Sequence, residues 1–188
     1  IDFGTTNTVI TCWTAGGAEV LPLPGLSSAL DGAPSLLPSL LYVQDGQAAQ
    51  VSIGQAVRDL ALDQQRDNRL FRNFKRGIAA QPPPTPRLID GASWDDRQAG
   101  EYFIRRLIDS LPSTPEGIEQ VVLTAPVAAF EDYLTWLAGA MDRLGAEQVY
   151  MVDESTAAAL GYAVTEPGAP VLVLDFGGGT LDLSLVQL

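Results

Sequence analysis

Histidine is absent from the 188 residues, and cysteine occurs once, as Cys12. The first absence removes every Ser-His-Asp and Cys-His mechanism and every zinc site that uses imidazole. The second removes an internal disulfide and any CxxC site, and Cys12 is expected as a small buried apolar side chain. Positive charge is scarce as well, with 11 Lys and Arg against 23 Asp and Glu and a formal charge of −12. So few cations leave little counterion release to drive nucleic-acid binding, and they disfavour an anionic membrane surface. Long apolar runs are missing too. The richest stretch, Val20 to Val43, is broken by Asp31 and by Pro22, Pro24, Pro34 and Pro38. A spanning helix needs ~20 unbroken apolar residues. The opening residues carry neither the basic nor the apolar segment of a secretory leader, so a cytoplasmic location is expected. Both ends fall inside strand-like runs and read as cut, so a piece of a longer protein is expected.

What is present is a chain with 46% hydrophobic residues, enough for a packed core. The spacing predicts strands at Thr8–Trp13, Leu40–Val43, Val121–Thr124, Val149–Val152 and Val171–Leu174. Helices are predicted over Gly54–Leu62, Asn68–Arg76, Asp95–Leu111, Glu131–Leu144 and Ser155–Val164. The proline run Gln81–Pro86 reads as a surface loop, and Thr165–Pro170 as the best linker. Strands alternating with helices favour an α/β architecture.

Two segments match each other. Ile1-Asp2-Phe3-Gly4-Thr5-Thr6 can be laid on Leu174-Asp175-Phe176-Gly177-Gly178-Gly179. In both, an apolar strand ends in Asp, a glycine turn follows, and a β-prone run returns. On the second return run, Thr180, Asp182 and Ser184 share one face, while Leu181, Leu183 and Leu185 share the other, expected as the core side. Successive backbone N–H groups in such turns make anion-binding nests. An Asp beside each nest repels bare phosphate and makes sense with a cation between, expected as hydrated Mg²⁺. Neither GxxxxGK[ST] nor GxGxxG occurs, which excludes a P-loop and a Rossmann dinucleotide site.

Asp2-Phe3-Gly4-Thr5-Thr6-Asn7-Thr8 resembles the first phosphate motif of the actin-like ATPase superfamily, and Asp175-Phe176-Gly177-Gly178-Gly179-Thr180-Leu181-Asp182 resembles its second. Asp153-Glu154-Ser155-Thr156-Ala157-Ala158-Ala159-Leu160-Gly161-Tyr162 is similar to the connecting-helix motif of heat-shock-70 (DnaK-type) chaperones, as are Phe74-Lys75-Arg76-Gly77-Ile78 and Leu123-Thr124-Ala125-Pro126. The resemblance implies an actin-like (ribonuclease H-like) ATPase fold whose two lobes close on Mg-ATP. Residues 1–165 would form the first lobe, with a peripheral subdomain at about 35–117. Residues 166–170 would be a linker, and 171–188 the first hairpin of a second lobe, without a nucleoside pocket.

The resemblance also implies roles. Asp2, Asp175 and Asp182 would hold Mg²⁺, mostly through water. Gly4, Thr5, Thr6, Gly177, Gly178, Gly179 and Thr180 would bind the phosphates of ATP or ADP. Lys75 would stabilise charge at the γ-phosphate, Glu154 would orient the attacking water, and Thr180 would line the water side. Arg76 would be a second cation near the cleft, and Pro126 part of a relay of nucleotide state. Peptide clients and co-chaperones would be partners of the whole protein. The family's Asn-Glu-Pro is Asp153-Glu154-Ser155 here, which is expected to loosen the turn that aims Glu154. Val127-Ala128-Ala129-Phe130 replaces a shorter segment, and a nearby family Arg has no clear counterpart. Two other members of the superfamily remain open, a bacterial shape-determining filament protein and a sugar or acetate kinase. A clamp that no longer turns over is a further alternative.

Overall fold

The structure is a computed structural model that describes residues 1–29, 33–112, 118–126, 131–142, 145–162, 168–178 and 181–187. The chain opens with strands β1 (Asp2–Phe3), β2 (Asn7–Val9), β3 (Thr11–Thr14) and β4 (Gly17–Val20). The predicted strand at Thr8–Trp13 is therefore broken, and Ile10 turns inward to the core between two pieces. Strands β5 (Leu37–Pro38), β6 (Leu40–Asp45) and β7 (Gln50–Ile53) lead to the short helix α1 (Gln55–Asp59).

The next segment departs from expectation. Asn68–Arg76 is not one helix but strand β8 (Leu70–Arg72) followed by α2 (Phe74–Ala79). Pairing decides it: Leu70, Leu41's partner Phe71 and Arg72 lie antiparallel to β6, which buries Phe71. Asn73, at φ 58°, turns the chain from strand to helix. Beyond the proline loop comes a hairpin that the sequence pattern did not reveal, β9 (Arg87–Ile89) and β10 (Ala92–Trp94). Helix α3 (Asp96–Asp109) follows, with the Asp95 carboxylate accepting from Gln98 N at 2.7 Å as its cap.

Strands β11 (Gln120–Ala125) and β12 (Gln148–Asp153) pair in parallel, with α4 (Glu131–Met141) between them in sequence. Helix α5 (Glu154–Gly161) leaves the end of β12, and β13 (Pro170–Phe176) pairs antiparallel with β14 (Leu181–Gln187). Pro170 thus opens a strand, while residues 163–167 of the expected helix end and linker lie outside the described residues. Residues 143–144 of the fourth expected helix also lie outside them.

Ile1 joins the sheets. Its N donates to Val122 O at 2.7 Å and its O accepts from Thr124 N at 3.1 Å, the pattern of a parallel neighbour. That sets β1 beside β11 and brings both strand ends to one edge. Under this edge Phe3 lies 6.0 Å from the Phe74 ring, 5.9 Å from Phe103 and 6.2 Å from Trp136. Fully burying one such ring contributes about 1.5–3 kcal/mol. The aromatic cluster therefore fixes β1, α2, α3 and α4 against each other. The architecture is mixed α/β with several small sheets. Among the described residues, no helix is long and apolar enough to cross a membrane.

The closing hairpin turns the other way from the expected core-and-water arrangement. Leu181, Leu183 and Leu185 are 58%, 66% and 73% exposed, while Asp182 and Ser184 on the opposite face are half-buried. The polar face lies toward α5 and the cavity described below. No described segment covers the leucines. Cys12 also differs from expectation, being half-buried on the β3–β4 ribbon with Sγ 3.8 Å from Glu19 O.

Candidate functional site

A cavity of about 1000 Å³ opens where β1, α2, β11, α4, α5 and the β13–β14 hairpin meet. The sequence-predicted residues Asp2, Gly4, Thr5, Thr6, Lys75, Glu154, Asp175, Gly177, Gly178 and Asp182 all line it, as do Arg76 and Pro126. Gly179 and Thr180 lie outside the described residues.

The first glycine turn is held from below. A Cβ at Gly4 would run into the Asn7 carbonyl, so only glycine closes this turn. Ser39, buried, donates its hydroxyl to Gly4 O at 2.7 Å, and its N donates to Thr6 O at 2.8 Å. Its hydroxyl also shares a 3.1 Å hydrogen bond with that of Thr8. The second turn arrives from the hairpin and comes close to the first: a Cβ at Gly178 would strike Thr6 Oγ1. At the end of β1, Asp2 Oδ1 accepts from the Thr124 hydroxyl at 2.9 Å, which fixes that carboxylate at the strand edge.

Lys75 follows Phe74, whose ring is locked in the aromatic cluster, so α2 delivers the ammonium to the cavity wall. Only 8% of Lys75 is exposed, and its Nζ donates to Glu154 Oε1 at 2.8 Å. A buried ion pair is worth little in net stability, but breaking one partner is costly. Burial pushes the Glu154 carboxyl up from its ordinary value, Lys75 pulls it back, and the charges of Asp2 and Asp175 push it up again.

Glu154 is the first residue of α5, and its aim depends on Asp153. Asp153 accepts from Thr156 N at 2.8 Å, Thr156 Oγ1 at 2.7 Å and Ser155 Oγ at 2.9 Å. The cap is therefore the aspartate, with the two hydroxyls donating to it, rather than Ser155 and Thr156 capping the helix. These hydrogen bonds, led by that from the Thr156 hydroxyl, hold the Asp153 carboxyl below its ordinary value. They fasten the turn that the missing proline was expected to leave loose. Along α5, Ala157, Ala158 and Ala159 face the cavity, but a Cβ at Gly161 would meet nothing, so close packing does not require that glycine.

Two residues of the wall escaped the sequence reading. Thr124 was visible only as part of a motif, and nothing in its identity marks it as a partner of Asp2. Tyr133 lies on α4, buried to 1% exposure, and lines the cavity beside Lys75 and Glu154. Burial, then the charges of Glu154 and Asp2, push its phenol well above the usual range.

The wall carries four carboxylates, Asp2, Glu154, Asp175 and Asp182, against the two cations Lys75 and Arg76. Among the described residues, no three acidic, histidine or cysteine side chains stand close enough to grip a metal ion directly. Such an acidic wall around a wide cavity, with Asp175 and Asp182 directly opposed on the hairpin, fits a hydrated Mg²⁺.

Residues 103–188 match the family model described as Hsp70 protein. The whole chain is 29% identical to the chaperone protein DnaK of Elusimicrobium minutum, 25% to that of Endomicrobium trichonymphae and 29% to that of Thermosipho melanesiensis. It spans 29%, 29% and 30% of their respective lengths.

Proposed function

The chain is a divergent member of the Hsp70 family, and from that premise and the cavity's chemistry we propose that it binds Mg-ATP and, in the complete protein, hydrolyses it. The fold is that of an actin-like ATPase. Residues 1–165 form its first lobe with a peripheral subdomain at about 35–117, the linker ends before Pro170, and the hairpin that Pro170 opens begins the second lobe. The observation that carries this reading is the buried Lys75–Glu154 pair facing two glycine turns across one cavity.

The chemistry follows from the donors. Backbone N–H groups of Gly4, Thr5, Thr6, Gly177, Gly178 and Gly179, with the hydroxyl of Thr180, bind phosphate oxygens. Asp2, Asp175 and Asp182 would hold Mg²⁺, mostly through its waters, and the ion would supply neutralisation of the phosphate charge. Lys75 stabilises charge that develops on the γ-phosphoryl oxygens. The Glu154 carboxylate accepts a hydrogen bond from the attacking water and aims it in line. Peptide clients and co-chaperones are the partners of the whole protein, and its compartment is the cytoplasm.

Lys75→Ala in the full-length protein tests the assignment. Single-turnover hydrolysis should fall by about 10²–10³-fold, as for loss of a transition-state donor, while nucleotide affinity changes little. Unchanged turnover would remove Lys75 from the mechanism. Nucleotide-dependent polymers in place of peptide release would favour the filament reading.

A further inference from the structure

One buried polar group on the cavity wall has no part in the proposed chemistry and, unlike Thr124, no partner either. The Tyr133 hydroxyl is closed off from solvent and, among the described residues, has no hydrogen-bond partner. Buried donors are rarely left unpaired, and one that lines a site of reaction calls for a functional explanation. The ring cannot wander, because it packs 5.9 Å from Trp136 on the same helix. The charged groups bearing on this hydroxyl are Glu154 from α5 and Asp2 from β1. Glu154 in turn is faced by Lys75 from α2, Asp2 from β1 and Asp175 from β13. Of these neighbours only Lys75 is a cation, and it holds Glu154 through Oε1.

That arrangement has an obvious competitor. Nucleotide phosphates entering the cavity present several negative oxygens to the Lys75 ammonium, which is a mobile point charge on a flexible stem. Glu154 then loses the cation that, among the described residues, bonds it, while three acidic or phenolic groups remain around it. Of those three, Tyr133 alone has a proton to donate.

We propose that Tyr133 is a positioning residue for Glu154: when phosphate draws Lys75 away, the Tyr133 hydroxyl donates to the Glu154 carboxylate and keeps it aimed at the attacking water. The proposal rests on the roles assigned above to Lys75 and Glu154. It gives the orphaned hydroxyl a partner in the nucleotide-loaded state and explains a tyrosine where an apolar side chain would fill the same space.

The experiment is a double-mutant cycle in the full-length protein, read by single-turnover ATP hydrolysis, nucleotide Kd and unfolding temperature. Tyr133→Phe keeps the ring packing and removes only the hydroxyl. Its hydrolysis should fall about tenfold with Kd within about twofold, and in a Glu154→Gln background the same change should cost less than about twofold. The unfolding temperature should stay level or rise, because an unpaired group has been removed. A native hydrolysis rate in Tyr133→Phe overturns the proposal, as does an equal loss in both backgrounds. If Glu154→Gln is slow but Tyr133→Phe is not, the inference about Tyr133 fails alone. If Glu154→Gln hydrolyses at the native rate, the assigned role of Glu154 fails and this inference with it.

Discussion

Lys75 and Glu154 stand 79 positions apart in the chain and 2.8 Å apart in space, at a place where neither is well exposed to water. Each arrives on the first turn of its own helix, one anchored by Phe74 in the aromatic cluster and the other by the hydrogen-bonded Asp153. The pair is the point from which the rest of the cavity can be tested.

Glu154 must be ionised to hold Lys75 and to accept from water, and burial raises its pKa above the ordinary 4.5 despite Lys75. Hydrolysis should therefore fall, as the pH is lowered, at a value above the ordinary glutamate range. For folding the sign is opposite. A carboxyl raised in the folded state contributes stability that is present below its unfolded value and lost as the pH rises through the folded one. A rate–pH profile whose acid limb lies at or below 4.5 contradicts this prediction.

Asp153→Ala removes the acceptor for three donors at the start of α5. Loss of such a cap costs about 1 kcal/mol, which urea unfolding should detect. Turnover should drop with little change in nucleotide affinity, because Glu154 loses its fixed aim. Asp153→Asn keeps one acceptor oxygen and should be milder on both counts. The cap's contribution is present above the unfolded carboxyl value and fades as the pH falls through the lowered folded one. Equal stability of Asp153→Ala and the parent would show that the cap is idle.

Glycine substitutions should separate the two turns from the helix. Gly178→Ala drives a methyl into Thr6 and should push the glycine turns apart, weakening nucleotide binding about tenfold, or ~1.4 kcal/mol. Gly161→Ala has open space around it and should leave affinity unchanged, with up to ~1 kcal/mol gained from helix propensity. Calorimetric titration of both variants with ADP checks the pair, and equal affinities would mean that the turns do not meet at the phosphates.

Much of this site was legible because its chemistry is local. Asp2 to Thr6 and Asp175 to Gly178 announce themselves through Asp and glycine placed at strand ends, and the structure sets both turns on one cavity. The same holds for α3, whose cap Asp95 and buried Phe103, Ile104 and Leu107 follow one helical stripe. What was hidden depends on distant partners. Leu70 to Arg72 carries helix-compatible residues and becomes a strand only because β6 offers an edge. Ser39 reads as an ordinary serine until its hydroxyl is seen under Gly4. The leucines of β14 follow a core pattern, yet which face is covered is decided by what lies next to the hairpin, and alternation alone is silent on that.

The cavity also has a history within each molecule. Within this chain its lining runs from Asp2 to Asp182, and the Thr124–Asp2 hydrogen bond alone spans 122 positions. Contacts of such long range close late in folding, since the loop must be gathered before the contact repays it. On a ribosome the first glycine turn therefore emerges long before the hairpin that faces it. The opening strands must wait in partly assembled form, with the Asp2 carboxylate still open to water. Synthesis direction alone thus sets the β13–β14 hairpin in place after every other described element of this wall.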